Sequence, residues 1–212
     1  APYAAVVLAV FAAGAAVVLR QAARHLAGRE FGAANRLTLA RAALAALCGG
    51  LLLARPGAAV AWFAVAAALL ALVLDGFDGS LARRRGLASA FGARFDMEID
   101  ALTILIMSAL AWRFERAGVW VLASGLARYA FVAAGSVWPW LRQPLPASRR
   151  RQTVCVVQAG ALVACLAPIV PPRLAACAAA IGLAALAASF AADIVGLWRA
   201  AHPAARLKAL QP

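Results

Sequence analysis

The sequence predicts an all-α integral membrane protein with seven transmembrane helices. Three observations lead there. Of the 212 residues, 66% are hydrophobic and the mean hydropathy is +0.86, far from the composition of soluble domains. Apolar runs recur at close to the ~20 residues that cross a hydrocarbon core of about 30 Å. Charged residues, only 14% of the chain, gather between these runs. Inside a bilayer every backbone polar group must pair within its own segment, so the runs are read as helices.

Taken in order, the spans are expected at 3–19, 37–55, 58–80, 94–112, 117–137, 152–170 and 174–197. Between the first and the second lies the basic segment Arg20 to Arg36 with apolar Leu26 and Phe31, readable as an amphipathic helix at the interface or as a solvated linker. Residues 1–36 thus form an N-terminal helix plus interfacial segment, 37–200 the six-helix core and 201–212 a cytoplasmic tail. The connections are short and leave no room for a separately folding soluble domain. Pro139, Pro144 and Pro146 mark the loop before the sixth span, and Pro168, Pro171 and Pro172 end that span. Ala1-Pro2-Tyr3 carries no basic n-region, so a cleavable signal peptide is not expected.

A net charge of +13 invites a nucleic-acid partner, but its placement speaks for topology, because cytoplasmic flanks of membrane helices collect Lys and Arg. Arg20, Arg24, Arg29, Arg36, Arg83 to Arg85, Arg94, Arg142, Arg149 to Arg151, Arg199, Arg206 and Lys208 fall on one side of the spans. Arg55, Arg113, Arg116 and Arg173 fall on the other. The expectation is a multi-pass protein of the cytoplasmic (inner) membrane, with the first span starting outside, the C-terminus inside, and no nucleic-acid role. A basic inner rim suits anionic headgroups and pyrophosphates. Cys48, Cys155, Cys165 and Cys177 stand singly, without metal-type spacing, and read as packing residues; His25 and His202 read as interfacial.

The chemistry is concentrated in one stretch. The chain has eight acidic residues, and Asp75, Asp78, Asp96, Glu98 and Asp100 fall within 26 positions. Carboxylates in or at the ends of membrane helices cost a few kcal/mol each if left unpaired, which makes them functional candidates. At about 100° per residue, Asp75, Asp78, Gly79 and Ala82 share a face of one helix, and Asp96 and Asp100 share a face of the next; Glu98 lies on a different face. Like charges brought so close repel unless cations sit among them. All-oxygen ligation selects Mg²⁺, Mn²⁺ or Ca²⁺ over zinc, and a cluster of this size has room for two ions. The plainer reading, helix-end pairs with Arg83, Arg84, Arg85 or Arg94, suits Glu98 better than the aspartates. Gly79 leaves space beside the carboxylates for a phosphate or nucleotide, and Ala82 continues that opening.

Written as a pattern, Asp75 to Asp100 is D-x2-D-G-x2-A-R-x8-G-x3-D-x3-D. All eight specified positions match the signature of the CDP-alcohol phosphotransferase family, with a chance expectation of roughly 10⁻¹⁰ per starting position. Asn35-Arg36-Leu37-Thr38-Leu39-Ala40-Arg41 also resembles that family's N-x-[LI]-T-x-x-R entry to its first core helix. The span near 3–19 is additional to the family's six helices.

The resemblance implies a metal-dependent phosphotransferase of phospholipid biosynthesis. It implies metal-ligand roles for Asp75, Asp78 and Asp96. Asp100 would complete the metal site and take the proton from the acceptor hydroxyl. Asn35, Thr38, Gly79, Ala82 and Arg83 would lie against the CDP moiety. It implies two divalent ions, Mg²⁺ or Mn²⁺, a CDP-alcohol donor such as CDP-diacylglycerol, CMP as leaving group, and a homodimer.

The acceptor is written outside the signature. Arg128, alone in its span, is expected to face a polar cavity or a carboxylate. With Arg142, Arg149, Arg150 and Arg151 it is a candidate for holding a small polar acceptor, a phosphorylated one if these arginines read phosphate; the run also serves as a plain topology signal. Three competing readings stand beside this: a soluble CDP-alcohol donor with a lipid acceptor, a transporter with a carboxylate metal site, and a non-catalytic scaffold. The crowding of charge at one membrane face argues against transport, and the intact set of signature aspartates against a scaffold.

Overall fold

The structure is a computed structural model that describes residues 33–85, 90–145 and 148–202, without the side chains of residues 33–36, 77–85, 90, 91, 93 and 94. Within these residues all regular structure is helical. Six α-helices follow one another: α1 (Ala33–Gly50), α2 (Ala58–Arg85), α3 (Ala90–Arg113), α4 (Leu122–Val137), α5 (Arg149–Leu166) and α6 (Pro172–Ala201). Short 3-10 turns stand at Leu51–Leu53, Val119–Val121 and Pro139–Arg142. The span expected at 3–19, the basic segment as far as residue 32 and the tail from residue 203 lie outside the described residues.

Each of the other six expected spans contains one helix, with shifted ends. The span read as 152–170 starts earlier, at Arg149, and stops at Leu166. Ala167 turns to an extended ψ of 122° while its N–H still closes on Ala164 and Val163, as expected for a residue before proline. The span read as 117–137 begins its α-helix only at Leu122, because Gly118 is extended at ψ 172° and a 3-10 turn follows. At the end of α3, Glu115 adopts φ 56°. The N–H of Arg116 then reaches Ala111 O and that of Glu115 reaches Trp112 O, the paired bonds of a Schellman stop with a non-glycine residue at the left-handed position.

Among the described residues three helical segments are long and apolar enough to cross a membrane, Ala58–Gly76, Val119–Val137 and Pro172–Ala201, and Leu37–Leu53 is a shorter apolar helix. Their outward faces are apolar too. Trp62, Phe63, Leu69, Leu70 and Val73 of α2 are all exposed, which water would not tolerate over so large a patch but lipid does.

The interior is centred on α3, which packs against α1, α4 and α5, while α5 and α6 pair closely. Met107 and Leu110 of α3 meet Val121 and the α5 residues Leu162, Cys165 and Leu166 in one buried cluster. Gly125 of α4 permits the approach to α3, since a Cβ there would overlap the backbone and side chain of Leu105. At the far end of the bundle, Arg116 donates through Nε to Cys165 O and through Nη2 to Ala167 O, both at 2.9 Å, and also to Val170 O. The carbonyls left open at the end of α5 are thereby satisfied by a cation from the α3–α4 turn.

Candidate active site

Three helices build the site. α2 presents Asp75 near the end of its long apolar segment, α3 presents Asp96 and Asp100 four residues apart on one face, and α1 inserts Arg41 among them. The Arg41 guanidinium donates from Nη1 to Asp96 Oδ1 and from Nη2 to Asp100 Oδ1, and its Nη1 lies 2.9 Å from Asp75 Oδ1. Arg41 is only 3% exposed. The carboxylates remain partly open, with side-chain exposures of 35% for Asp75, 40% for Asp96 and 30% for Asp100. Three carboxyl groups meet one guanidinium in this group, so its formal charge is negative when they are ionised.

The carboxylates open on a cavity of about 360 Å³. Apolar Ala71 and Leu72 of α2, Ile104 of α3, and Val156 and Ala159 of α5 line it together with the carboxylates; Thr103, Gln152 and Cys155 add polar points. Charged groups and apolar walls in one cavity suit an amphiphilic ligand. Gly76 lines this space, and a Cβ there would meet nothing within 4 Å.

The sequence-derived candidates divide into groups. Asp75, Asp96 and Asp100 come together, each able to offer an oxygen within 4.8 Å of the others. Asp78, Gly79, Ala82 and Arg83 lie on the helical backbone of α2, and Asn35 on that of α1; their side chains lie outside the described residues. Thr38 is buried one turn before Arg41. Glu98, on its separate face of α3, pairs with Arg128 of α4 at 2.6 Å, so Arg128 meets a carboxylate as expected of a lone intramembrane arginine. Arg150 donates to Ser189 O at 2.7 Å and Ser189 Oγ at 2.9 Å, and contacts Asp193 at 2.5 Å; Arg151 reaches Asp193 at 3.2 Å. Arg142 and Arg149 are exposed. None of these five arginines is among the residues that line the cavity.

Sequence reasoning gave no role to Arg41, Thr103, Gln152 or Cys155. Arg41 carried a signal as the closing residue of Asn35 to Arg41 and as a charge inside a span. Cys155, read as packing, lines the cavity beside the carboxylates, and nothing in its spacing marks it.

The profile of the CDP-alcohol phosphatidyltransferase family matches residues 31–194. The chain belongs to this family. Among curated proteins and solved structures, no match is found. Membership makes the chain a transferase that moves a phospho-alcohol group from a CDP-alcohol, and enzymes of this family generally use divalent metals. The residues present in this transferase fit such an ion: three carboxylates from two helices, all hard oxygen donors, gathered within 4.8 Å and carrying excess negative charge when ionised.

Proposed function

We propose that this transferase moves a phosphatidyl group from CDP-diacylglycerol to a hydroxyl of a small polar acceptor, releasing CMP, in the synthesis of a membrane phospholipid. The reading places the site at the cytoplasmic face of a six-span core, residues 37–200, in the cytoplasmic membrane, within a homodimer. The observation that carries it is the convergence of Asp75, Asp96 and Asp100 in a cavity whose lining also includes Ala71, Leu72, Ile104, Val156 and Ala159. That arrangement lets a lipid donor keep its chains among apolar residues while its pyrophosphate meets the charged groups.

Asp75, Asp78, Asp96 and Asp100 would hold the divalent ions, two of Mg²⁺ or Mn²⁺. Bound there, the ions supply Lewis-acid neutralisation of the pyrophosphate and of the leaving CMP. The residues of the chain do the rest. The bundle aligns the acceptor oxygen with the β-phosphorus, so that the new P–O bond forms as the bond to the bridging oxygen of CMP breaks. Asp100 takes the hydroxyl proton. Asn35, Thr38, Gly79, Ala82 and Arg83 would seat the CDP moiety, Gly79 and Ala82 by leaving room and Arg83 by answering phosphate charge. Arg128, Arg142 and Arg149 to Arg151 would serve a phosphorylated acceptor only by exchanging their present surroundings, including the Glu98 and Asp193 pairs, for it.

The test is product identification. Purified protein is incubated with CDP-diacylglycerol and Mn²⁺ against glycerol phosphate, inositol phosphate, inositol and serine in turn, and the lipid extract is weighed by mass spectrometry. A new phosphatidyl lipid with one acceptor supports the reading. Turnover only with a soluble CDP-alcohol and a lipid hydroxyl would reverse donor and acceptor.

A further inference from the structure

We propose that Arg41 is the resident counter-cation of the carboxylate cluster, surrendering those carboxylates to the divalent ion and passing its own charge to the phosphates of the donor. The inference rests on the metal reading above and adds a residue to it. Arg41 contacts the same three carboxylates, Asp75, Asp96 and Asp100, that gather closely enough to hold an ion. Nη1 is shared between Asp75 and Asp96 while Nη2 takes Asp100, so one guanidinium sits among oxygens that an ion would also use.

A carboxylate has two oxygens and a small number of acceptor positions, and sharing them between two cations weakens both. A divalent ion among these oxygens would also lie within a few ångströms of a buried positive charge, where repulsion is poorly screened. Metal binding and the Arg41 pairs are therefore negatively coupled, and the coupling is reciprocal. Arg41 in turn keeps the metal-free carboxylates from repelling one another apart.

A guanidinium loosened from its carboxylates and still buried needs another anion. The donor brings one, since its pyrophosphate must lie beside these carboxylates for the reaction to occur there. The forked N–H groups of arginine match phosphate oxygens as they match carboxylates. Donor entry and metal entry then support each other, because each removes a cost that the other would meet alone.

The experiment compares full-length wild type, Arg41→Gln and Arg41→Lys in detergent, following melting and Mn²⁺ binding by electron paramagnetic resonance. Without metal, Arg41→Gln melts below wild type. Saturating Mn²⁺ narrows that gap, and the half-saturating Mn²⁺ concentration falls about tenfold in Arg41→Gln, with Arg41→Lys between the two. With Mn²⁺ present, CDP binds Arg41→Gln more weakly than wild type. Equal or weaker Mn²⁺ binding by Arg41→Gln would mean that Arg41 shapes the metal site, which overturns the proposal, as does undiminished CDP affinity. Should Arg41→Gln not fold, Arg41→Lys decides by the same criteria. A wild type that binds no Mn²⁺ removes the metal reading itself, and this inference with it.

Discussion

Arg128 of α4 and Glu98 of α3 form an ion pair at 2.6 Å, while two residues to either side of Glu98 the carboxylates of Asp96 and Asp100 turn to Arg41. A single helix thus sorts its acids by face, one to a neighbouring helix and two to the cavity. The division separates residues whose loss would disturb packing from residues whose loss would stop chemistry, and the expected outcomes follow it.

Replacing Asp100 by Asn keeps the shape of the side chain and removes both its negative charge and its capacity to take a proton. Turnover is expected to fall by about 10² to 10⁴, with binding of the CDP donor largely retained. Single-turnover CMP release beside a CDP-binding isotherm checks this, and near-normal turnover would move the base to another residue.

Arg150 holds Ser189 and Asp193 of α6 through three contacts, and Arg151 adds a longer one. Arg150→Ala is therefore expected to lower stability by about 1–3 kcal/mol, read as an earlier melting transition in detergent. Arg151→Ala is expected to cost less. If either substitution instead leaves melting unchanged and raises the acceptor KM, the arginine serves the acceptor.

Two glycines offer a matched pair. A Cβ at Gly125 would run into the Leu105 backbone, whereas a Cβ at Gly160 would meet nothing within 4 Å. Gly125→Ala is expected to force α3 and α4 apart at a cost of about 1–3 kcal/mol. Gly160→Ala is expected to be neutral or to stabilise by up to about 1 kcal/mol, as alanine favours the helix. Melting of the two variants side by side decides it, and equal behaviour would mean that α3 and α4 are not packed so closely.

Arg116 caps the end of α5 through the carbonyls of Cys165, Ala167 and Val170. Arg116→Ala is expected to destabilise the protein by about 1–3 kcal/mol, because desolvated carbonyls lose a charged donor. Arg116→Lys recovers only part of this, since a single ammonium does not reproduce the fork. A melting temperature equal to wild type in both variants would contradict the capping role.

Much of the site was legible because its logic is local. The four-residue spacing of Asp96 and Asp100 puts them on one face of any helix, and Glu98 between them falls elsewhere; the structure keeps both statements. Arg41 was legible as the close of the Asn35 to Arg41 motif and as a charge in the wrong medium, but not by its partners. Its partners lie 55 and 59 residues away in sequence for Asp96 and Asp100, and only the packing of α1 on α3 brings them together. Gln152 and Cys155 gave no warning, since their place on the cavity wall is set by the rotation of α5. The helix ends moved for local reasons that hydropathy does not weigh: the extended residue before Pro168, and the turn that begins at Gly118.

The most direct measurement is CMP release from CDP-diacylglycerol by the purified protein, with Mn²⁺, with EDTA, and with Mn²⁺ restored. The expected result is acceptor-stimulated release that EDTA abolishes and Mn²⁺ recovers, and that Asp75→Asn and Asp96→Asn each lose. Release that persists in EDTA, or that survives both substitutions, would contradict a carboxylate-held metal centre as the source of the activity.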